Sequence, residues 1–206
     1  MESLGYEIAR GPHELNIVYV EGADLDGTPN ADEADRFNDL GLLIEFDDAG
    51  QPQIVHRAVC TTEPGYAATM AQRARLLGGV ARVQLTQYKS CWQMGFHKSN
   101  PAHPALVQRA TMLVHRDRNR DGKRPGDLLM PASGINQHGT RPGMIARLVG
   151  TWSEGCLVRL NWDDHLHFIG MLKTDPRFVQ NPSFLFSAAV LDGGKVWRFQ
   201  PMGVAL

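Results

Sequence analysis

The sequence predicts a β-rich α+β domain, and three observations carry that prediction. Short β-branched runs bounded by Gly, Asp and Asn recur from Leu15 onward, helix-forming composition is sustained in few places, and no linker or internal repeat divides the chain. With 206 residues the chain can bury a substantial core, so it reads as one domain spanning 1–206.

Taken in order, the apolar run Leu15 to Val20 is the first strand. The next stretch holds Asp24, Asp26, Asp32, Glu33, Asp35 and Asp39 among turn formers, and reads as a solvated loop with a short helix starting near Asn30 rather than an acidic ligand cage. Leu42 to Phe46 and Gln53 to Cys60 form a hairpin across Asp47-Asp48-Ala49-Gly50, with His56 packed within it. Thr62 to Gly78 reads as a helix, capped by Thr62 and rich in Ala and Leu up to the Gly78-Gly79 stop. Val80 to Tyr88 alternates as a strand. Residues 91 to 98 read as irregular, and Pro101 and Pro104 break any helix beyond them. Thr111 to His115 is a short strand, Leu157 to Leu160 another, and Asn161 caps a helix running to Leu172. Two late strands, Phe184 to Leu191 and Lys195 to Gln200, are joined by Asp192-Gly193-Gly194 as a closing hairpin.

Composition removes several function classes. A formal net charge of -1 gives no support to a nucleic-acid binder. No apolar stretch approaches the roughly 18 residues of a membrane span. The N-terminal residues lack a basic segment followed by an apolar core, so the expectation is cytoplasmic synthesis without a signal peptide. Cys60, Cys91 and Cys156 are too few for a disulfide scaffold, and none lies in a Cys-x-x-Cys pair, so no thiolate metal site and no cofactor is expected.

The chemistry concentrates between residues 134 and 160. Cys156 follows Ser153-Glu154-Gly155 on a Gly-containing turn with a strand behind it, which holds a thiol rigid. His138, in the loop that begins at Gly134, is the base such a nucleophile needs. The residues alone leave a second reading open, an ordinary half-buried cysteine and a surface histidine. Elsewhere, Asp117, Asn119, Asp121 and Gly122 reproduce the first half of a calcium loop, but Leu128 stands at its twelfth position and arginines interleave it. A rigid turn held by carboxylate–arginine bonds is the simpler reading, and no metal is assigned.

Gly134, Ile135, Asn136, His138, Gly139, Trp152, Ser153, Gly155 and Cys156 resemble the catalytic segment of L,D-transpeptidase-like (YkuD-type) domains, in a divergent branch found in phage and bacterial genomes. Two departures stand out: Glu154 replaces the usual second histidine, and an arginine expected two places after the cysteine is found one later, as Arg159. The resemblance implies a YkuD-like mixed β-sheet domain with a catalytic cleft. It implies a peptidoglycan peptide-stem hydrolase or transpeptidase, with Cys156 as nucleophile and His138 as base. Asn136, Ser153, Gly155, His97, Gln108, Trp92, Trp152 and Arg159 become substrate-binding or orienting candidates, with Asn136 or Ser153 orienting His138 and the Cys156 or Gly155 N–H holding the oxyanion. The implied partner is peptidoglycan or its muropeptides at the periplasmic cell wall, reached through a separate holin or secretion partner, as for a phage endolysin or a delivered effector. The alternatives are a non-catalytic peptidoglycan-binding module and a phage structural protein.

Overall fold

The run Leu15 to Val20 is apolar at every position but Asn16 because both faces of its strand are covered. In the computed structural model, which describes residues 1–196, it becomes β1 (Asn16–Glu21). Ile17 and Tyr19 point into the main core, while Val18 and Val20 pack outward with Leu40, Leu42, Ala189 and Leu191 under the N-terminal Met1 and Tyr6.

β2 (Asp39–Phe46) and β3 (Pro52–Thr61) form the expected hairpin. They are followed by α1 (Tyr66–Met70), α2 (Gln72–Leu76), β4 (Val80–Val83), β5 (Gln87–Phe96), β6 (Pro104–Gln108), β7 (Met112–Asp117), β8 (Leu128–Ala132), β9 (Gln137–Gly139) and β10 (Leu157–Arg159). The described chain then continues through α3 (Trp162–Leu172), α4 (Pro176–Gln180), β11 (Leu185–Asp192) and α5 (Gly193–Val196). Eight strands close into a barrel in the order β1-β11-β5-β6-β9-β10-β3-β2, and β4-β7-β8 form a separate antiparallel sheet. The pairs β1–β11 and β9–β10 are parallel and the other barrel pairs antiparallel, so the domain is β-rich α+β with a mixed sheet. Both sheets feed one core, in which Met112, Val114 and Ala132 of the smaller sheet meet Trp92, Leu106, Leu157 and Phe168. No helix among the described residues is long and apolar enough to cross a membrane.

Several local expectations are corrected. The helix read from Thr62 to Gly78 is two single turns broken at Ala71, whose ψ of 149° is extended, and Thr62 does not cap it, since its hydroxyl donates to Glu21 and Asp39. No helix starts near Asn30, since Asp32 and Asp35 take positive φ and Asn30 Oδ1 accepts the Asp32 N–H in a turn. Val80 to Tyr88 divides between two sheets, with the Gln84 N–H and the Leu113 carbonyl both bonded to Tyr88 Oη at the break. Residues 91 to 96, expected to be irregular, belong to β5. Among the described residues the turn expected for the closing hairpin is instead helical: Gly193 begins α5, which takes in Lys195, and residues 197 to 200 of the expected last strand lie outside the described residues. The helix from Asn161 forms as read, with Asn161 Oδ1 accepting the Asp163 and Asp164 N–H groups.

Candidate active site

Cys156 stands immediately before β10, and the parallel pairing of Val158 with His138 brings the two halves of the motif onto neighbouring strands. The turn is built by Ser153, whose Oγ donates to Cys156 O at 2.8 Å and accepts the Gly155 N–H at 3.0 Å. Gly155 has φ 136° and lies against β4, where a Cβ would come within 2.5 Å of Ala81 O, so the turn tolerates no side chain there. Cys156 is partly exposed, whereas Cys60 and Cys91 are buried. Its Sγ accepts the Asn136 N–H at 3.4 Å and, as a thiol, donates to Gly134 O at 3.5 Å. Burial pushes the thiol up to about 11, against the opposing pull of the Asn136 N–H and of Lys98.

His138 does not hydrogen-bond Cys156. Its Nδ1 donates to Gly139 O at 2.8 Å, which fixes the tautomer and leaves Nε2 a buried acceptor with no partner. Burial, and next the neighbouring His97 ring, hold His138 well below the ordinary imidazole range, so it is neutral at pH 7. His97 stacks on it with centroids 3.9 Å apart. Asn136 orients His97 rather than His138: its Oδ1 accepts the Gln108 N–H, which turns Nδ2 toward His97 Nδ1 at 3.2 Å. Ser153 is likewise spent on its own turn, so neither expected residue orients His138.

The remaining candidates divide sharply. Trp92 is 0% exposed and donates from Nε1 to Ile135 O, so it shapes the motif loop from inside the core and cannot line a cleft. Arg159 is also 0% exposed, inside the barrel with its guanidinium 3.3 Å from the Phe168 ring centroid and 5.3 Å from that of Tyr19, which removes it from any substrate. Gln108 spends its side chain on backbone, donating to Ala110 O and Ala132 O and accepting the Ile135 N–H. It therefore clamps the motif loop. Trp152 is half-buried beside Arg141, whose guanidinium stands 5.7 Å from a ring centroid. Glu154 turns outward to an exposed ion pair with Arg73 at 3.1 Å. The Gly155 N–H, given to Ser153, is not free to hold an oxyanion.

Two contributors were not read from the sequence. His103 Nε2 donates to the same Gly139 carbonyl at 3.1 Å, and buried His165 of α3 donates from Nε2 to Pro104 O at 2.7 Å. A Cβ on Gly139 would meet His165 Cβ at 2.7 Å, so this glycine lets α3 approach the strand that carries His138. Burial is the first cause that lowers His97 to about 4 and His165 to about 3, and it lowers His103 as well. Four of the eight histidines thus gather here as neutral rings. Lys98, held in the left-handed region at φ 51° and ψ 33°, supplies positive charge beside the thiol. The one available signal was the density of His97, Lys98, His103 and the prolines in a short stretch.

No protein-family model, curated protein or solved structure matches the chain.

Proposed function

We propose that the chain is a divergent L,D-transpeptidase-like (YkuD-type) domain that acts on peptidoglycan peptide stems through Cys156, by hydrolysis or by transpeptidation. One observation carries the reading: His138, the histidine of the sequence motif, has Nδ1 committed to a backbone carbonyl and Nε2 unpartnered, on the strand that pairs beside Cys156. A neutral imidazole with one nitrogen pinned and the other bare is a general base awaiting its proton donor.

A thiol raised to about 11 beside an imidazole held well below its ordinary range does not form a resting thiolate–imidazolium pair. Proton transfer accompanies attack. The Cys156 side chain turns from Gly134 O toward His138 Nε2, gives up its proton there, and its sulfur bonds to the stem carbonyl carbon. The carbonyl oxygen takes the negative charge, for which the Cys156 N–H is the nearest candidate donor once Gly155 is excluded. His138 then returns the proton to the leaving amine as the C–N bond breaks. Water or a second amine resolves the thioester, giving a cleaved or a cross-linked stem.

Wild type and C156A incubated with a panel of muropeptides, with products read by mass spectrometry and binding by calorimetry, test this reading. C156A is expected to lose product by more than about 10³-fold while still binding. Product formation unaffected by C156A would reject the cysteine mechanism. Wild-type binding without product across the panel would favour a recognition module.

A further inference from the structure

The loop between β7 and β8 carries a second constellation that the proposed chemistry leaves unused. Arg116 pairs with Leu128, so the next residues outward, Asp117 and Asp127, stand at the two sides of the loop mouth. Between them Asn119, Asp121 and Gly122 occupy the third, fifth and sixth positions counted from Asp117, and Gly122 makes the reversal at φ 68°.

Two of the arginines that argued against a cation here, Arg116 and Arg124, are turned elsewhere. Arg116 donates to Gly79 O at 3.2 Å, and Arg124 donates to Val83 O at 2.8 Å while its guanidinium binds Glu21. Arg82, the basic side chain that approaches Gly122 from β4, is ion-paired with Glu63. Among the described residues no Arg or Lys is ion-paired with Asp117, Asp121 or Asp127, so the carboxylate–arginine turn expected from the sequence does not form.

What remains is a buried acid with an open oxygen. Asp117 is 1% exposed; its Oδ2 accepts the Gly122 N–H at 3.1 Å, which turns the carboxylate into the loop, and its Oδ1 has no hydrogen-bond partner. Asp127 Oδ2, across the mouth, is also buried and unpartnered. A buried carboxylate without donors is costly unless it is neutralised or holds a cation. Hard oxygen donors on a flexible loop suit calcium, whereas magnesium demands a tighter octahedron.

We propose that the loop 117–127 is a calcium site that closes on the ion: the Asp117, Asp121 and Asp127 carboxylates do not all converge on one point in this structure, and binding draws them together with the Asn119 oxygen and the Lys123 carbonyl at the seventh loop position. Asp127, at the eleventh position, takes the part of the acid that Leu128 cannot supply at the twelfth. Lacking the bidentate glutamate, the site falls in the weak class, with Kd of roughly 10⁻⁴ to 10⁻³ M. Calcium would tie the mouth of the β7–β8 loop.

Chelator-treated full-length protein, titrated with calcium chloride in a calorimeter and followed by thermal unfolding, tests the site. Calcium is expected to bind in that range and raise the unfolding midpoint, with magnesium chloride weaker by at least about tenfold. D121A removes an exposed side chain and D127N keeps the shape of a second, so both should fold; each is expected to weaken calcium by about tenfold or more. No heat and no midpoint shift at roughly 10 mM calcium, an equal response to magnesium, or a full calcium response in D121A and D127N would overturn the proposal.

Discussion

Two clusters of ionisable side chains stand out among the described residues, and they are built on opposite terms. Around His138 the rings of His97, His103, His138 and His165 are kept neutral by burial, each bonded to a backbone carbonyl or an amide. At the junction of the barrel with the smaller sheet, the buried acids Glu21, Asp39 and Glu63 share two arginines, buried Arg82 paired with Glu63 and partly buried Arg124 paired with Glu21. Glu21 meets Arg124 at 2.5 Å and lies within 2.8 Å of Thr62 Oγ, and Asp39, which also takes the Gly22 and Thr62 N–H groups, is pushed up to about 7, first by burial and then by Glu21. The difference separates the two roles. A network of ion pairs and hydrogen bonds locks one arrangement, while neutral rings with a free lone pair retain the capacity to accept a proton.

The sharpest way to break the comparison is to remove one charge from the locked cluster. Arg82→Met strands the Glu63 carboxylate and is expected to cost about 3 to 5 kcal/mol, read as a lower urea midpoint. Combining it with Glu63→Leu should restore most of the loss. Equal midpoints for wild type and R82M would mean that the pair contributes nothing.

A smaller effect comes from acid. The histidine values in the folded state lie below the unfolded value of 6.5, so their stabilisation is present above pH 6.5 and is lost as pH falls toward the folded values. Asp39 has the opposite sign: its folded value of about 7 exceeds 3.8, so its contribution is present below pH 3.8 and is lost as pH rises through 7. Near pH 5 Asp39 and His165 each contribute about 2 kcal/mol in opposite directions, leaving His138, His97, His103 and His56, which burial also lowers to about 4, to set a net loss. Urea stability is expected to fall between pH 6.5 and 5, by about 2 kcal/mol less in His165→Gln. A flat profile would remove the buried neutral rings from the description.

The smallest effect is kinetic. Cys156 should alkylate before Cys60 and Cys91 because only it is partly exposed. Without a resting ion pair its rate should rise about tenfold per pH unit between pH 7 and 9. A rate that is already level near pH 7 would instead reveal a thiolate held by His138.

The parts legible in the sequence were those fixed by local periodicity. β1, the β2–β3 hairpin, β7, β10, β11 and the Asn161-capped α3 follow from alternation, turn residues or a cap. The three-residue β9 and the proline-led β6 carry no such pattern, since they exist only through their neighbours. Cys156, Asn136 and Ser153 are hydrogen-bonded to one another at the start of β10, while His138 lies on the paired strand β9 without a bond to the thiol. Their detailed partners were not legible, because which side chain reaches Gly139 O or Asn136 Nδ2 depends on β5, β6 and α3 arriving from distant sequence. Trp92 and Arg159 were misread for one reason: residue type speaks for chemistry, but the face of a strand decides whether a ligand can ever meet it.

The seam of the barrel has a consequence for how the protein is made. β1 pairs in parallel with β11, Ile17 beside Ala188, so the first barrel strand to leave the ribosome waits for the last. Hairpins such as β2–β3 and β5–β6 can form as they emerge, but closure must bridge nearly the whole described chain, the kind of long-range contact that slows folding. Until β11 arrives, β1 and β5 expose unpaired edges, and during that interval the nascent chain is open to mispairing with another copy or to capture by a chaperone.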